Sequence, residues 1–276
     1  MSMKKTIRVL MLGDLVGSTG RAMLQKHLAR IKQEYKIDAA IVNGENTNAN
    51  GRGITARIAK SLKHNGIDVV TTGNHIWDQR DIYEYLKNNQ DVIRPANFSS
   101  DCPGIGYTTF NCQGIEVAVV NMQGQVFMRE HVDCPFKTMD SILTYLKHKT
   151  NVILVDFHAE TTAEKLAFGY YLDGKVSCVV GTHTHVPTAD ERVLPKGTAY
   201  VTDLGMGGSL HSLIGFKKDA IIEKFKNQMP TRFMVETEPP VVMTGIWVEI
   251  DTQTGKALQI QRLKVIDEDL CLDGDS

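Results

Sequence analysis

The sequence predicts an α/β fold in which at least the amino-terminal half forms a parallel β-sheet. Three short apolar segments, each ending in a polar turn, alternate there with two segments of helical periodicity. A strand, a helix and a second strand joined in this way form a right-handed crossover, which makes the two strands parallel. The chain of 276 residues is 42% apolar, so it can bury a sizeable core.

The first strand and helix occupy the first 35 residues. The strand, residues 7–12, is short and apolar, and it ends at a Gly-Asp turn. We expect Ser18 or Thr19 to cap the helix that follows. The helix should extend to about Tyr35, because apolar residues recur at helical spacing at Met23, Leu24, Leu28 and Ile31.

The same unit then repeats. A second strand, residues 39–42, ends at a Gly-Glu turn. A capped helix is predicted over residues 55–65, and Gly66 should stop it. The third strand, residues 67–72, ends at a Gly-Asn-His turn. These repeats place a polar turn after each of the three strands.

The second half of the chain has a less regular texture. Gly, Pro and Asn become frequent after about residue 91, and residues 115–120 are typical of a meander. Further strands are predicted at residues 151–157, 176–180, 241–250 and 257–265. We interpret residues 205–208 as a turn, in which glycine could also allow a phosphate to approach the backbone. We expect one domain over residues 1–266 and an acidic, frayed tail over residues 267–276.

Composition narrows the possible partners and compartment. Lys and Arg total 31 against 32 Asp and Glu, so the chain has no positive field suited to extended nucleic-acid binding. The five cysteines are scattered and form no C-x-x-C pair, which is typical of a reducing cytosol. No apolar run approaches the ~18 residues of a membrane span or the ~7 to 15 of an export signal. We therefore expect a soluble, cytoplasmic protein without a membrane partner.

Five predicted strands are each followed by side chains that can bind a metal ion. The carboxyl ends of strands border the crevice in which open α/β sheets bind ligands, so these side chains could converge on one site. One histidine after a strand is more often structural, but so many repetitions favour a metal centre. The candidates are Asp14, Glu45, Asn74 with His75, His158, and His183 with His185.

This set of carboxylate, amide and imidazole groups suits a pair of cations about 3.5 to 4 Å apart. Because no cysteine is among the candidates, iron, manganese, zinc and magnesium all remain open. Two such cations lower the pKa of a bridging water to give hydroxide, and they neutralise charge on phosphoryl oxygens during in-line attack. His75 is our candidate for the acid that protonates the departing alkoxide. The set therefore predicts hydrolysis of a phosphate ester.

The motifs at these strand ends resemble those of the calcineurin-like metallophosphoesterases. They are Gly13-Asp14, Gly44-Glu45-Asn46, Gly73-Asn74-His75, His158 and Gly181-Thr182-His183-Thr184-His185. The similarity covers nearly the whole chain and looks closest to the YmdB-like branch, that of the 2′,3′-cyclic-nucleotide 2′-phosphodiesterases. This resemblance implies a four-layer α/β/β/α sandwich with mixed sheets, a preference for iron or manganese, and small phosphodiesters or nucleotides as substrates.

The resemblance also implies a role for each residue. Asp14, Glu45, Asn46 and His185 would hold the first metal, with Glu45 bridging, whereas Asn74, His158 and His183 would hold the second. His75 would donate the proton. One departure from the wider superfamily concerns its first motif, Asp-x-His, because Leu15 and Val16 follow Asp14 here. Asn46 looks like the substitute for the missing histidine.

Several alternatives stay open at this stage. The enzyme could prefer phosphomonoesters, or the chain could be a metal-binding regulatory protein without turnover. A dinucleotide-binding oxidoreductase is a weaker alternative, suggested by Gly13, Gly17 and Gly20 after the first strand. That function would leave His158, His183 and His185 without a role. His75 could merely orient Asn74, and Asn46 could be a turn residue. Neither the native metal nor the oligomeric state, with a homo-oligomer possible, can be read from the sequence.

Overall fold

The computed structural model describes residues 4–272. The strands are β1 (Thr6–Leu12), β2 (Asp14–Leu15), β3 (Ala39–Asn43), β4 (Val69–Thr71), β5 (Tyr107–Cys112), β6 (Ile115–Gln123), β7 (Val152–His158), β8 (Cys178–Thr182), β9 (Arg192–Val193), β10 (Ala199–Val201), β11 (Met206–Ser209), β12 (Val241–Asp251) and β13 (Ala257–Asp267). The helices are α1 (Gly17–Glu34), α2 (Ala56–His64), α3 (Ile82–Asn88), α4 (Pro135–Leu146), α5 (Thr162–Leu172) and α6 (Lys218–Asn227), and a 3₁₀ turn covers Ile76–Asp78. Every strand predicted from the sequence is present, with small shifts at its ends.

The strands form two mixed sheets. In the first, the order is β2-β11-β12-β1-β3-β4, and β13 also pairs with β12. β1, β3 and β4 are parallel, which confirms the prediction for the amino-terminal half, but β12 runs antiparallel beside β1. In the second sheet, the order is β5-β6-β7-β8-β10-β9, with β6, β7 and β8 parallel and β5 antiparallel to β6. The meander predicted around residues 115–120 is therefore limited to the β5–β6 hairpin.

The two sheets pack face to face and helices cover their outer faces. Val9 and Ile41 of the first sheet share one apolar core with Val119 and Leu154 of the second. The outer face of the first sheet packs against α1, α2 and α3, and that of the second against α4 and α5. Alternation of side chains along each strand supplies both faces. The four-layer α/β/β/α arrangement implied by the resemblance is confirmed.

Helix α1 begins without the predicted side-chain cap. Its N-cap is Val16, whereas Ser18 and Thr19 lie inside the first turn, so the prediction of either as the cap was wrong. Thr19 instead donates its hydroxyl to the carbonyl of Glu236 at 3.2 Å. The first helical N–H, that of Gly17, donates to a backbone carbonyl 2.8 Å away in the loop after β3, so a tertiary contact replaces the cap. In α2, by contrast, the Thr55 side chain accepts from the backbone N–H of Ile58.

The glycine-rich segment at residues 205–208 is not a turn as predicted, because Met206–Ser209 form β11. This strand lies between β2 and β12 in the first sheet. Its glycines allow α1 to pack directly on it, since a Cβ atom at Gly20 would lie 2.4 Å from the carbonyl oxygen of Gly207. Strand β11 and helix α1 therefore meet through their backbones.

The segment predicted as a tail begins inside the fold. Asp267 is the last residue of β13, and its carboxylate lies 2.7 Å from Lys26 Nζ and 2.6 Å from His27 Nε2. Leu270 is buried in the core of the first sheet. The expectation of a frayed tail is therefore wrong for residues 267–270. Residues 273–276 of the predicted tail lie outside the residues that the structure describes. Within residues 4–272, no helix has the length and apolar character needed to cross a membrane.

Candidate metal centre

The carboxyl ends of β1, β3, β4, β7 and β8 lie at one edge of the sandwich and bring the predicted ligands together. They form two adjacent groups of side chains. The first group contains Asp14, Asn46 and His185. The second contains Glu45, Asn74, His158 and His183. Chain segments separated by more than 100 residues thus meet in each group.

The first group surrounds a buried histidine nitrogen. His185 Nε2 lies 3.1 Å from Asn46 Nδ2 and 3.7 Å from Asp14 Oδ1. The other ring nitrogen, Nδ1, lies 2.8 Å from the carbonyl oxygen of Ile214, to which it donates. That bond leaves Nε2 as the nitrogen with the lone pair, which accepts from the Asn46 amide and lies on the side of the Asp14 carboxylate. Since Asn46 contacts the same nitrogen, its position is consistent with more than a turn function.

The second group converges on His158, which is fully buried. Its Nε2 atom lies 3.0 Å from Glu45 Oε1, 3.0 Å from Asn74 Oδ1 and 3.0 Å from His183 Nδ1. One potential ligand atom from each of Glu45, His158 and His183 lies within 4.8 Å of the other two. Electron-pair donors packed this closely repel one another unless protons or a cation lie between them.

A polar layer beneath these side chains orients His158. The inner faces of β7 and β8 are apolar until Asp156 and Thr182. Asp156 lies one alternation step before His158, and Thr182 directly precedes His183. The Thr182 hydroxyl donates to Asp156 Oδ1 at 2.7 Å, so its oxygen accepts from His158 Nδ1 at 2.9 Å. This chain holds the proton on Nδ1 and directs Nε2 at the convergence point, as outer partners of metal-binding histidines generally do.

His183 and His185 occupy strained backbone conformations. Their φ angles are +98° and +65°, in the region that side-chain-bearing residues rarely adopt. Such conformations cost about 1 to 3 kcal/mol each and cluster at functional sites. His183 also has a partner on its outer nitrogen, because Nε2 lies 3.1 Å from Glu160 Oε2. That contact leaves His183 Nδ1 directed towards His158.

His75 lies beside the second group, but its ring contacts Asp78 and is not among the closely packed donors of Glu45, His158 and His183. Its backbone N–H donates to Glu45 Oε2 at 3.0 Å, which ties the residue to the centre. Its Nδ1 atom lies 3.0 Å from Asp78 Oδ2, at the end of the 3₁₀ turn. The His75 side chain is 27% exposed, whereas that of His158 is fully buried. His75 can therefore reach solvent or a substrate while Asp78 holds its ring.

The electrostatics of the two groups favour positive charge. Burial raises the pKa of Asp14 to about 6, although His185 and His158 oppose the shift. Burial also disfavours charge on both Glu45 and His158, but their mutual attraction lowers the pKa of Glu45 and raises that of His158. Burial, with the positive charge of His158, lowers the pKa of His183 to about 3. A metal cation could replace the proton that this arrangement holds on His158.

The residues present fit a pair of hard or borderline cations. Asp14 Oδ1 is buried and has no hydrogen-bond partner among residues 4–272, which is the state expected of an oxygen that binds a cation. The donors are carboxylate, amide and imidazole groups, a set suited to iron, manganese or zinc and, with fewer nitrogens, magnesium. All seven predicted ligands lie in the two groups.

Sequence reasoning missed the residues that orient these side chains. Asp78, Glu160 and Thr182 contact His75, His183 and His158 respectively. Asp78 could have been found, because a carboxylate three residues after a candidate acid is a recognisable signal. Glu160 and Thr182 act across strands, so their spacing in the sequence carries no such signal.

The glycines that suggested a dinucleotide site have a packing function instead. A Cβ atom at Gly13 would lie 2.1 Å from the carbonyl oxygen of Gly205, and Gly20 packs on Gly207 in the same way. The N–H of Gly17 is bound to the Asn46 carbonyl. These glycines therefore face protein backbone, and the phosphate-binding interpretation loses its main support.

Comparisons with known proteins found relatives that match most of the chain. The sequence model of the family described as YmdB-like protein matches residues 10–263. A Bacillus subtilis (strain 168) protein named 2′,3′-cyclic-nucleotide 2′-phosphodiesterase is 44% identical over 262 residues, which cover 95% of this chain and 98% of that protein.

Two solved structures share the fold over most of their length. A crystal structure described as a novel phosphatase from Mycoplasma pneumoniae has a TM-score of 0.90 and 35% identity, covering 97% of this chain and 96% of that one. A hypothetical protein from Thermus thermophilus has a TM-score of 0.87 and 35% identity, covering 95% of this chain and 100% of that one. With the family model matched over most of the sequence, the chain belongs to the YmdB-like family of phosphoesterase enzymes.

Proposed function

We propose that the chain is a two-metal phosphodiesterase that hydrolyses small phosphodiesters, with 2′,3′-cyclic nucleotides as its substrate class. One observation carries the proposal: buried and half-buried oxygen and nitrogen donors from five strand ends converge in two adjacent groups. The name of the Bacillus subtilis relative supports the substrate class. Iron or manganese is the proposed native metal because the family resemblance implies it, and the carboxylate and imidazole donors are compatible with either.

The ligands divide between the metals as the two groups do. Asp14, Asn46 and His185 would hold the first metal, whereas Asn74, His158 and His183 would hold the second, with Glu45 shared between them. When bound, the metal pair would supply a water of lowered pKa and neutralise charge on the phosphoryl oxygens. Thr182 and Glu160 keep the histidine rings directed at the centre, through bonds of 2.9 and 3.1 Å.

His75 is the proposed general acid. Its ring is held by Asp78 on one nitrogen, so the other nitrogen is free to donate a proton to the departing alkoxide. Its backbone bond to Glu45 fixes the distance between this acid and the metal ligands. An acid so placed at the partly exposed rim would reach the leaving group of a substrate whose phosphate lies on the metals.

The experiment is turnover by the purified protein after reconstitution with Mn²⁺ or Fe²⁺. It would be offered a 2′,3′-cyclic nucleotide, bis(p-nitrophenyl) phosphate and p-nitrophenyl phosphate, and a chelator-treated sample would serve as the control. We expect metal-dependent hydrolysis of the two diesters, with the cyclic nucleotide preferred. Turnover of the monoester alone would establish a phosphomonoesterase. Tight metal binding without turnover of any substrate would favour the regulatory alternative.

A further inference from the structure

A buried ion pair lies directly behind the turn that carries His183 and His185. Lys165 of α5 and Asp203, which follows β10, are paired with Nζ and Oδ2 2.6 Å apart, and each side chain is about 1% exposed. Lysine and aspartate are almost never buried so completely unless they are paired. Neither residue belongs to the ligand set proposed above. The pair therefore needs another explanation.

The two oxygens of Asp203 hold two different parts of the metal centre. Oδ2 accepts from the backbone N–H of Thr184 at 3.3 Å and from its hydroxyl at 2.8 Å. Thr184 is the residue between the two histidines. Oδ1 accepts from the N–H of Gly205 at 2.8 Å, and the Gly205 carbonyl in turn accepts from the N–H of Asp14 at 3.1 Å. One carboxylate thus connects the histidine turn to the segment that carries Asp14.

The histidine turn needs such an anchor. Positive φ angles at both histidines persist only where surrounding contacts over-determine the backbone. Thr184 supplies those contacts, because its N–H and hydroxyl are both bound to Asp203. Its hydroxyl oxygen also accepts from the N–H of Val186 at 3.4 Å, just beyond the second histidine.

The sequence makes room for the lysine at one specific position. A Cβ atom at Gly181 would lie 2.9 Å from Lys165 Cδ and 1.8 Å from the Thr202 carbonyl oxygen. The first residue of the Gly-Thr-His-Thr-His motif therefore leaves space for the Lys165 stem to reach Asp203. Without that ammonium group, Asp203 would be a charge buried without a counter-ion, which proteins rarely retain.

We propose that Asp203, paired with Lys165, is a positioning residue that sets the geometry of the metal centre by holding the two-histidine turn through Thr184. This inference rests on the proposed metal-binding function. It predicts that loss of the Thr184–Asp203 contact weakens metal binding before it weakens the fold, since the turn relaxes while the surrounding strands remain paired.

The test is Mn²⁺ titration of metal-free protein by calorimetry, with thermal unfolding measured on the same metal-free samples. Thr184→Val keeps the side-chain shape but removes the hydroxyl donor. Thr198→Val is the matched control, because the buried Thr198 hydroxyl donates to the Val176 carbonyl at 2.6 Å and, within residues 4–272, bonds neither to Asp203 nor to a metal-ligand candidate. Lys165→Met, which removes the counter-charge, is the second variant.

We expect Thr184→Val and Lys165→Met to weaken Mn²⁺ binding at least about tenfold, the scale on which outer-sphere partners act. Metal-free Thr184→Val should unfold at nearly the temperature of the control, and excess Mn²⁺ should restore its turnover. Wild-type affinity in Thr184→Val, or an equal loss in Thr198→Val, would overturn the inference. If Lys165→Met does not fold, Thr184→Val decides alone. A wild-type protein that binds no Mn²⁺ would instead overturn the proposed function itself.

Discussion

His75 combines partial exposure with two contacts that fix its position. Asp78 holds one ring nitrogen, and the backbone N–H is bound to Glu45. The sequence placed His75 next to a candidate ligand, but its distance from the convergence point became visible only in the folded chain. A histidine that lies near the candidate metal centre, but outside the cluster of potential metal ligands, is better suited to proton transfer than to metal binding.

Replacing His75 with Asn should therefore separate chemistry from metal binding. We expect kcat on a 2′,3′-cyclic nucleotide to fall about 10²- to 10⁴-fold, the usual contribution of a general acid. Mn²⁺ affinity, measured by calorimetry, should not change. His148→Asn is the control, because His148 is exposed and lies between α4 and the start of β7. It is therefore near the amino-terminal end of that strand, whereas the candidate metal centre is at the carboxyl end. A variant that loses metal along with activity would show that His75 is a ligand or orients one.

Thr182 allows a second test at the scale of one hydroxyl group. Thr182→Val removes the acceptor that holds the proton on His158 Nδ1, so we expect Mn²⁺ affinity to fall about 10- to 100-fold. Thr71→Val is the matched control, because Thr71 donates to the same Asp156 carboxylate at 2.5 Å without contacting His158. Equal losses of Mn²⁺ affinity in both variants would mean that the bond between Thr182 and His158 has no effect of its own on metal binding.

The metal-ligand candidates could be selected from the sequence, but the side chains that orient them could not. Asp14, Glu45 and His158 each follow an apolar strand, and that local pattern is enough to place them at one edge of a sheet. Thr182 and Glu160 are recognisable only by the side chains that they contact. Those contacts depend on the lateral order of the strands, which hydrophobic periodicity does not encode.

At the scale of elements, periodicity identified eight of the strands and missed five, which are β2, β5, β9, β10 and β11. β11 reads Met-Gly-Gly-Ser, a composition that favours a turn, and pairing with β2 and β12 overrides that preference. Helix α1 shows the same effect at its start, where a backbone contact replaces the expected side-chain cap. Both errors arise where tertiary contacts outweigh local preference.

The contact between α1 and β11 can be tested with one methyl group. Gly20→Ala would place a Cβ atom 2.4 Å from the Gly207 carbonyl oxygen, so helix and strand must separate. We expect the free energy of unfolding in urea to fall by about 1 to 3 kcal/mol, as for other overpacked sites. Ser18→Ala, in the same helical turn, should stay within about 0.5 kcal/mol of wild type. No loss in Gly20→Ala would mean that the elements are less tightly packed than described.

The end of β13 makes a pH-dependent contribution to stability. The hydrogen bond from Lys26, followed by that from His27, lowers the pKa of Asp267 to about 2, against an ordinary value of 3.8. A carboxylate whose pKa is lower in the folded than in the unfolded chain stabilises the fold at pH values above its unfolded pKa of 3.8. This stabilisation is lost as the pH falls through the folded pKa of about 2.

Asp267→Asn should therefore cost about 1 kcal/mol of unfolding free energy at pH 7, after allowance for solvent screening at the partly exposed Lys26. The difference from wild type should shrink below pH 3.8 and close near pH 2. Urea unfolding at a series of pH values would measure it. A difference that is the same at all pH values would show that the carboxylate acts through shape, not through charge.

At the scale of the molecule, two sheets share one ligand-bearing edge. β1, β3 and β4 of the first sheet and β7 and β8 of the second end on the same side, and the metal-ligand candidates span the junction. The alternation of strands and helices predicted the parallel part of the first sheet, β1, β3 and β4. It could not predict that β12 lies antiparallel beside β1, or that the chain divides into two sheets, because both depend on contacts between distant segments. The family resemblance supplied that part of the fold.

The central claim is that these donors hold two cations in one pocket. Anomalous diffraction from crystals of the protein loaded with Mn²⁺ tests it most directly. The account predicts two peaks about 3.5 to 4 Å apart, one beside Asp14, Asn46 and His185 and the other beside Asn74, His158 and His183, with Glu45 between them. A single peak, or peaks away from these residues, would contradict it.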